Sequence, residues 1–442
     1  MSKEEIIAYD RQYNQHPWLT GTVEPLAVAR GEGIYFWDYD GKRYMDMSCQ
    51  LSCMNLGYGN RRILDAMHAQ MELLPYAAPA HASAPKSALA KRLVELAPEN
   101  IAKTVFTCGG SDANEAALNL ARTFTGRPKI LSRYRSYHGS TLGSGNISGD
   151  PRRFALENPA ANGFLKFFDP YIYRTPVSFA SGAQAGAYYL AQLEEQILYE
   201  NPAQIAAVFV ESVTGANGVI IPPDGYLQGL RALCDQYGIL LVCDEVMAGF
   251  GRTGKPFAFE HWGVRPDLIT FAKGVTCGYM PLGGVLLSRE IADYFADRVF
   301  QFGLTYSGHT LACAAGLACL DYYNEANVFA RVNETGKLLG ELLEAQKAKH
   351  ACVGDVRYIG LFSAVELVRD KRTKEPLTPF GGDVQGVMKQ IFALLRERGF
   401  SAYGRENNIN ITPPLTITAQ ELRSAFAILD EVLTLVDGRY LQ

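Results

Sequence analysis

Pro266-Asp267-Leu268-Ile269-Thr270-Phe271-Ala272-Lys273-Gly274 is an apolar run that ends in a lysine followed by glycine. A second run, Ile239-Leu240-Leu241-Val242-Cys243, ends in the acids Asp244 and Glu245, and Lys273 follows Asp244 by 29 residues. Short apolar runs without polar alternation suit strands covered on both faces. Working outward, Val105–Cys108, Lys129–Ser132, Ala206–Val210 and Gly284–Leu287 have the same character, with helical patterns between them. That alternation predicts an α/β fold with a mostly parallel central sheet, since crossover connections lay helices over both sheet faces.

A lysine and an aspartate at the ends of two buried strands suit one chemistry. The lysine bonds to an aldehyde cofactor as a Schiff base, and the aspartate holds a proton on that cofactor's ring nitrogen. Pyridoxal phosphate needs both. A place for its phosphate is offered by Thr104 to Cys108 followed by Gly109-Gly110-Ser111-Asp112. Ala113, Ala116, Ala117, Leu120, Ala121 and Phe124 then recur on one helical face. Ser111 or Asp112 is the expected N-cap, and the free N–H groups of the first turn would face an anion. An ordinary tight strand-to-helix turn is the alternative. A rival glycine motif, Gly249-Phe-Gly251-Arg-Thr-Gly254, matches the dinucleotide-binding pattern GxGxxG. It neither follows a strand directly nor opens a helix, so it reads as a shaped loop.

The 442 residues, 48% of them apolar and 20% charged, are those of a folded globular protein with a large core. A net charge of −4 gives no basic field for nucleic acid. No membrane span or signal peptide is read, and nine scattered cysteines without CxxC pairs predict buried thiols, no metal site and a reducing cytoplasm. Gly31 to Gly41 reads as a hairpin with an Asp-Gly turn. Beyond about 325 come a helix over 328–349, a strand over 362–368, and a last helix opened by the capping box Thr418-x-x-Glu421. Three parts are expected: 1–60 as an arm packing with the C-terminal region, 61–324 as the large domain, and 325–442 as a smaller α+β domain.

Asp244-Glu-Val-x-x-Gly-Phe-Gly-Arg-Thr-Gly254 with Lys273, Cys108-Gly-Gly-Ser-Asp-Ala113, Ser136-Tyr-His-Gly-Ser-Thr141, Val210-Glu-Ser-Val-Thr-Gly215, Thr305-Tyr-Ser-Gly-His309 and Pro413-Pro-Leu415 form a set. The set resembles class III (ornithine/ω-amino acid:pyruvate type) aminotransferases of pyridoxal-phosphate fold type I, over nearly the full length. The resemblance implies a role for each matching residue. Lys273 carries the cofactor and shuttles a proton, and Asp244 pairs with its ring nitrogen. Tyr137 stacks on the ring, unless it is a plain core aromatic, with His138 beside it. Glu211 lies near the cofactor hydroxyl, and Val246 is a further cofactor-binding residue. Gly110 and Ser111 bind the phosphate, and Thr305 reaches the phosphate of a second subunit, so a homodimer with shared sites is implied.

Departures from the family pattern bear on the substrate. Asn410 stands where members that use 2-oxoglutarate carry an arginine, which favours pyruvate as acceptor. Arg405 can substitute if its loop folds inward, and is otherwise solvated surface. Ser52 replaces a tryptophan of the amine:pyruvate members, Thr214 replaces a usual glutamine, and Trp18 lies at the pocket mouth or serves as a buried anchor. The implied reaction moves an amino group from a primary amine or ω-amino compound to a small 2-oxo acid. Two alternatives keep the same cofactor residues: an ammonia-lyase acting on a phospho- or phosphono-amine, and an aminomutase or racemase. A non-catalytic protein of the same fold is a third.

Overall fold

The computed structural model of the chain describes residues 1–441 except 20, 22, 157–160 and 384. Near the N-terminus, β1 (Val28–Glu32), β2 (Tyr35–Asp38) and β3 (Arg43–Asp46) form an antiparallel meander. The expected hairpin is therefore two hairpins in succession. The first turns at Gly33 and the second at Asp40-Gly41, both glycines at positive φ.

The central sheet has seven strands: β4 (Ile101–Thr107), β5 (Lys129–Arg133), β6 (Phe164–Phe167), β7 (Ile205–Glu211), β8 (Leu240–Asp244), β9 (Leu268–Phe271) and β10 (Gly283–Ser288). Their order is β4-β10-β9-β8-β7-β5-β6. Only β10 runs against the others, pairing antiparallel with β4 and β9. The six runs read from the sequence are all strands; β6, a four-residue edge strand with Lys166 in it, was not anticipated.

Both faces are covered, which is why these strands are apolar throughout. On one face the helix Gly110–Thr125 packs Ala113, Ala116, Ala117 and Leu120 against Ile130, Phe209, Val242 and Leu268. On the other, the helix Tyr226–Tyr237 packs Leu227, Leu230 and Cys234 into one core with Val208, Val210, Leu241 and Cys243. Each large apolar side chain so buried stabilises the fold by roughly 1.5–3 kcal/mol. The parallel arrangement sends the C-terminal ends of β7, β8 and β9 to one edge. There Glu211 pairs with Asp244, and Asp244 with Thr270, three residues before Lys273.

Towards the C-terminus, β11 (Val353–Ile359), β12 (Phe362–Asp370), β13 (Glu375–Pro376) and β15 (Asn408–Ile411) form an antiparallel sheet centred on β12. The short β14 (Phe400–Ser401) instead joins β3 in parallel and ties the N-terminal strands to this region. Helices Val328–Lys349 and Ala419–Tyr440 flank it. The second has the expected capping box, with Glu421 N donating to Thr418 Oγ1 at 3.2 Å and Thr418 N to Glu421 Oε2 at 2.9 Å. Among the described residues no helix is long and apolar enough to cross a membrane, and no group of His, Cys, Asp or Glu could hold a metal ion.

Candidate active site

Lys273 opens a 3-10 turn, Lys273–Val275, directly after β9. Its φ of 45° lies in the left-handed region, which costs a non-glycine residue about 1–2 kcal/mol and is tolerated where surrounding contacts impose it. Its amine has no hydrogen-bond or ion-pair partner among the described residues. Burial drives its pKa below the ordinary lysine value; Cys53, Asp244 and Glu211 oppose the shift and Arg152 reinforces it. The result is a lysine held closer to its neutral, nucleophilic form.

Asp244, at the end of β8, is 3% exposed. Its Oδ2 accepts from His138 Nδ1 at 2.7 Å and Asn114 Nδ2 at 2.9 Å, and its Oδ1 accepts from Val246 N at 3.0 Å. Asn114 Nδ2 also donates to His138 O at 2.7 Å, so one amide ties the carboxylate to the loop that carries its histidine. His138 is itself buried, with its N–H donating to Ser148 Oγ at 2.9 Å. The arrangement leaves the carboxylate fixed in direction, with room for one further donor.

Glu211, at the end of β7, is buried beside this pair. Its Oε1 accepts from Tyr137 N at 3.0 Å and its Oε2 from Gly215 N at 2.7 Å. Burial raises its pKa above the usual carboxylate value, with His138 opposing.

Gly109, rather than Ser111 or Asp112, is the N-cap of the helix Gly110–Thr125. Asp112 bends back to accept from Cys108 N at 2.6 Å and Gly109 N at 3.1 Å. With those two donors taken, the N–H groups of Gly110 and Ser111 have no partner among the described residues and sit at the positive end of the helix. Val246 packs so closely on Gly110 that a Cβ there would come within 3.0 Å of Val246 Cγ1. The loop Tyr137–Gly139 presses on the same helix start: Gly139 has φ of 139°, and a Cβ on it would stand 2.5 Å from Ser111 Oγ.

Beyond the ring of Tyr137 lies the Arg152 guanidinium, 3.5 Å from the ring centroid. Asp150 accepts from Arg152 Nε at 3.0 Å through both oxygens, and also from Arg152 Nη2. Trp18 is 55% exposed with its ring 5.9 Å from Arg152 Cζ, so it is not a buried anchor. The Arg405 side chain is half-buried rather than solvated surface. Burial acts first against its charge and Arg152 second, while Asp150 and Tyr137 favour it. It also lines a cavity of about 480 Å³ that includes Asp150, Asn217 and Asn408.

Asn410 is fully buried in β15, where Nδ2 donates to Ala216 O at 3.4 Å. Ser52 is 1% exposed, and its Oγ lies 3.3 Å from Tyr403 Oη and 3.1 Å from Thr412 Oγ1. Thr305 is the residue not brought to the cluster. It stands exposed on the loop before the helix Thr310–Glu325, where its carbonyl accepts from Tyr76 Oη at 2.7 Å.

Reading the sequence missed Asn114, Arg152 and Tyr403. Asn114 carried a signal, a polar residue directly beside the alanine face of a buried helix. Arg152, in the short 3-10 helix Pro151–Ala155, and Tyr403, in an isolated bridge to Asn410, had none.

The donor set fits pyridoxal phosphate: an uncommitted amine, a buried carboxylate held by three donors, and free N–H groups at a helix start. The comparisons with known proteins agree. Residues 20–433 match the class-III aminotransferase family. The taurine–pyruvate aminotransferase of Bilophila wadsworthia is 34% identical over 454 residues, covering 99% of both chains. The crystal structure of taurine:2-oxoglutarate aminotransferase from Bifidobacterium kashiwanohense, in complex with pyridoxal phosphate and glutamate, shares 52% identity with a TM-score of 0.97. It covers 100% of this chain and 99% of that one. An (S)-enantioselective ω-transaminase from Thermomicrobium roseum matches at 38% identity and TM-score 0.93, covering 99% of each chain. With a lysine and an aspartate closing adjacent strands and this likeness running end to end, the chain belongs to the class III aminotransferases and is a pyridoxal-phosphate-dependent transaminase of fold type I.

Proposed function

We propose that this transaminase takes its amino group from a short ω-amino compound with an acidic group at the far end, and gives it to a small 2-oxo acid. The observation that carries the reading is the pair of arginines by Tyr137. Arg152 lies over the ring face and Arg405 is half-buried and close enough for Arg152 and Tyr137 to act on its charge, so an anionic tail beside Tyr137 would meet cationic partners. Relatives named for taurine, an amino sulfonate, support the same class.

The preference for pyruvate rested on Asn410. That amide is turned to Ala216 O, and Arg405 is the cation available for a second carboxylate. We therefore extend the acceptor to 2-oxoglutarate. The named relatives divide in the same way, one using pyruvate and another 2-oxoglutarate.

Pyridoxal phosphate, when bound, supplies an aldehyde for the amino group and a ring that delocalises the electrons left on the substrate carbon. The chain supplies everything else. Lys273 would hold the cofactor, and its Nζ would take the proton from the substrate carbon, a task suited to an amine with a depressed pKa. Asp244 keeps a proton on the ring nitrogen, and His138 with Asn114 hold Asp244 in line. Gly110 and Ser111 would hold the phosphate through N–H groups, and Val246 and Tyr137 would help hold the cofactor. Glu211 would help hold the cofactor. Two copies share their sites, with Thr305 serving the partner's phosphate.

The test is an amine panel (taurine, β-alanine and an uncharged amine of like size) with pyruvate and 2-oxoglutarate in parallel, scoring alanine, glutamate and free ammonia. Acidic donors should lead. Arg405→Leu should raise the KM for 2-oxoglutarate about tenfold or more, from loss of a charge-assisted contact, and raise that for pyruvate less. Equal use of the uncharged amine would remove the proposal. Ammonia without alanine or glutamate would select the lyase chemistry.

A further inference from the structure

Cys49, Gln50, Leu51 and Ser52 hold left-handed backbone in series, with φ of 51°, 42°, 61° and 61°. L-residues do so only where neighbouring groups impose it. The imposing group here is Asp46, the last residue of β3, whose side chain is fully buried. Its Oδ1 accepts from Ser48 Oγ at 2.8 Å, Ser48 N at 3.3 Å and Gln50 N at 3.2 Å. Its Oδ2 accepts from Tyr58 Oη at 2.9 Å. A single carboxylate oxygen thus grips the chain on both sides of Cys49, where the left-handed run begins. The turn then closes through Ser52 N to Ser48 O at 2.9 Å and Cys53 N to Cys49 O at 2.8 Å.

The residue that follows the turn, Cys53, lies near enough to Lys273 to act on its charge. Ser52 Oγ meets Tyr403 and Thr412. Cys53 Sγ donates to Gln50 O at 2.8 Å, and a Cβ on Gly278 would stand 3.3 Å from the same sulfur. Without the turn, an ordinary extended segment would carry Ser52 away from Tyr403.

We propose that Asp46 is a positioning residue: by locking the turn Cys49–Ser52 in left-handed backbone it sets the Ser52–Tyr403 wall and so the size of amine the pocket admits. The proposal rests on Ser52 and Tyr403 being pocket wall. Two of its tests do not depend on turnover.

Asp46→Asn keeps the shape of the side chain but replaces one acceptor oxygen with a donor, so it cannot serve all four donors. In the holoenzyme the KM for a small amine should rise about tenfold, the consequence of losing hydrogen bonds to a buried charge, while a bulkier amine loses less. Iodoacetamide labelling of Cys53, followed by peptide mass spectrometry, should speed up severalfold relative to Cys108, the other partly exposed thiol. Adding Gln50→Gly should reverse both changes, since glycine takes positive φ without the steric penalty.

An unchanged Cys53:Cys108 ratio, or a defect that Gln50→Gly leaves in place, would overturn the proposal. A changed ratio with an unaltered KM would also overturn it, by taking Ser52 out of the pocket, while the transaminase reading would still stand on turnover itself. Should Asp46→Asn fail to fold, Ser48→Ala removes one of the four bonds. It must shift the labelling ratio in the same direction, and no shift would be decisive against the clamp.

Discussion

Lys273 is the residue on which the site turns, and its ionisation has a consequence for stability that can be measured. Its folded pKa is depressed by burial, so at pH values between that pKa and about 10.5 the unfolded chain binds a proton that the folded chain does not. Stability therefore rises with pH across that window. Below the depressed pKa the folded state pays in full for an ammonium in a buried place, and the penalty fades as the pH climbs towards the unfolded value. Lys273→Met, which removes the charge and keeps the length, should raise the Tm of the cofactor-free protein at pH 7 and raise it less at pH 10. Equal gains at the two pH values would mean that only packing changed. The same variant should fail to transfer amino groups, because methionine has no amine to hold the cofactor or move the proton. Lys273 and Asp244 were both legible in the sequence for a simple reason: each closes a strand, and a strand end is fixed in space by its ladder. Arg152 and Tyr403 were not legible, because their places at the site are set by contacts distant in sequence, Tyr137 under Arg152 and Ser52 on Tyr403.

At the level of elements, the start of the helix Gly110–Thr125 shows how a cap was misread while the helix was not. The alanine face announced the helix. The choice of cap depended on the bend at Gly109, which has extended backbone and lets Asp112 reach back to Cys108 N and Gly109 N. Asp112→Ala would leave two partly buried N–H groups unpaired and should destabilise the protein by about 1–2 kcal/mol, read as a shift of the urea midpoint at constant slope. Asp112→Asn, which keeps one acceptor, should lose about half as much. No difference between alanine and wild type would show that solvent satisfies those donors. The strands divide in the same physical way. Buried runs such as β7 and β8 carry no polar residue until their ends and announce themselves. The edge strand β6 is four residues long with Lys166 within it, and its place is set by pairing with β5 alone. The left-handed turn at Cys49–Ser52 left no trace in composition, because none of its four residues is glycine.

For the whole molecule, the exposed position of Thr305 bears on how many chains make one site. Thr305 lies at the surface, hydrogen-bonded to Tyr76 and away from Lys273, although its motif resembles that of a phosphate-binding residue. A second copy resolves this if each Thr305 serves the other subunit's phosphate. Such reciprocal contribution is what a two-fold, isologous interface produces. Thr305→Asp would place a negative charge against the phosphate and should weaken cofactor binding at the site it serves. Take that variant and Lys273→Ala, each inactive or nearly so alone, and mix them under conditions that allow subunits to exchange. In a mixed pair one site has both defects. The other has an intact Lys273 from one chain and an intact Thr305 from its partner. Random pairing makes half of the pairs mixed and repairs one of their two sites, so activity should return to about one quarter of wild type. If Thr305 served its own subunit, every site in the mixture would keep one defect, and mixing would restore nothing.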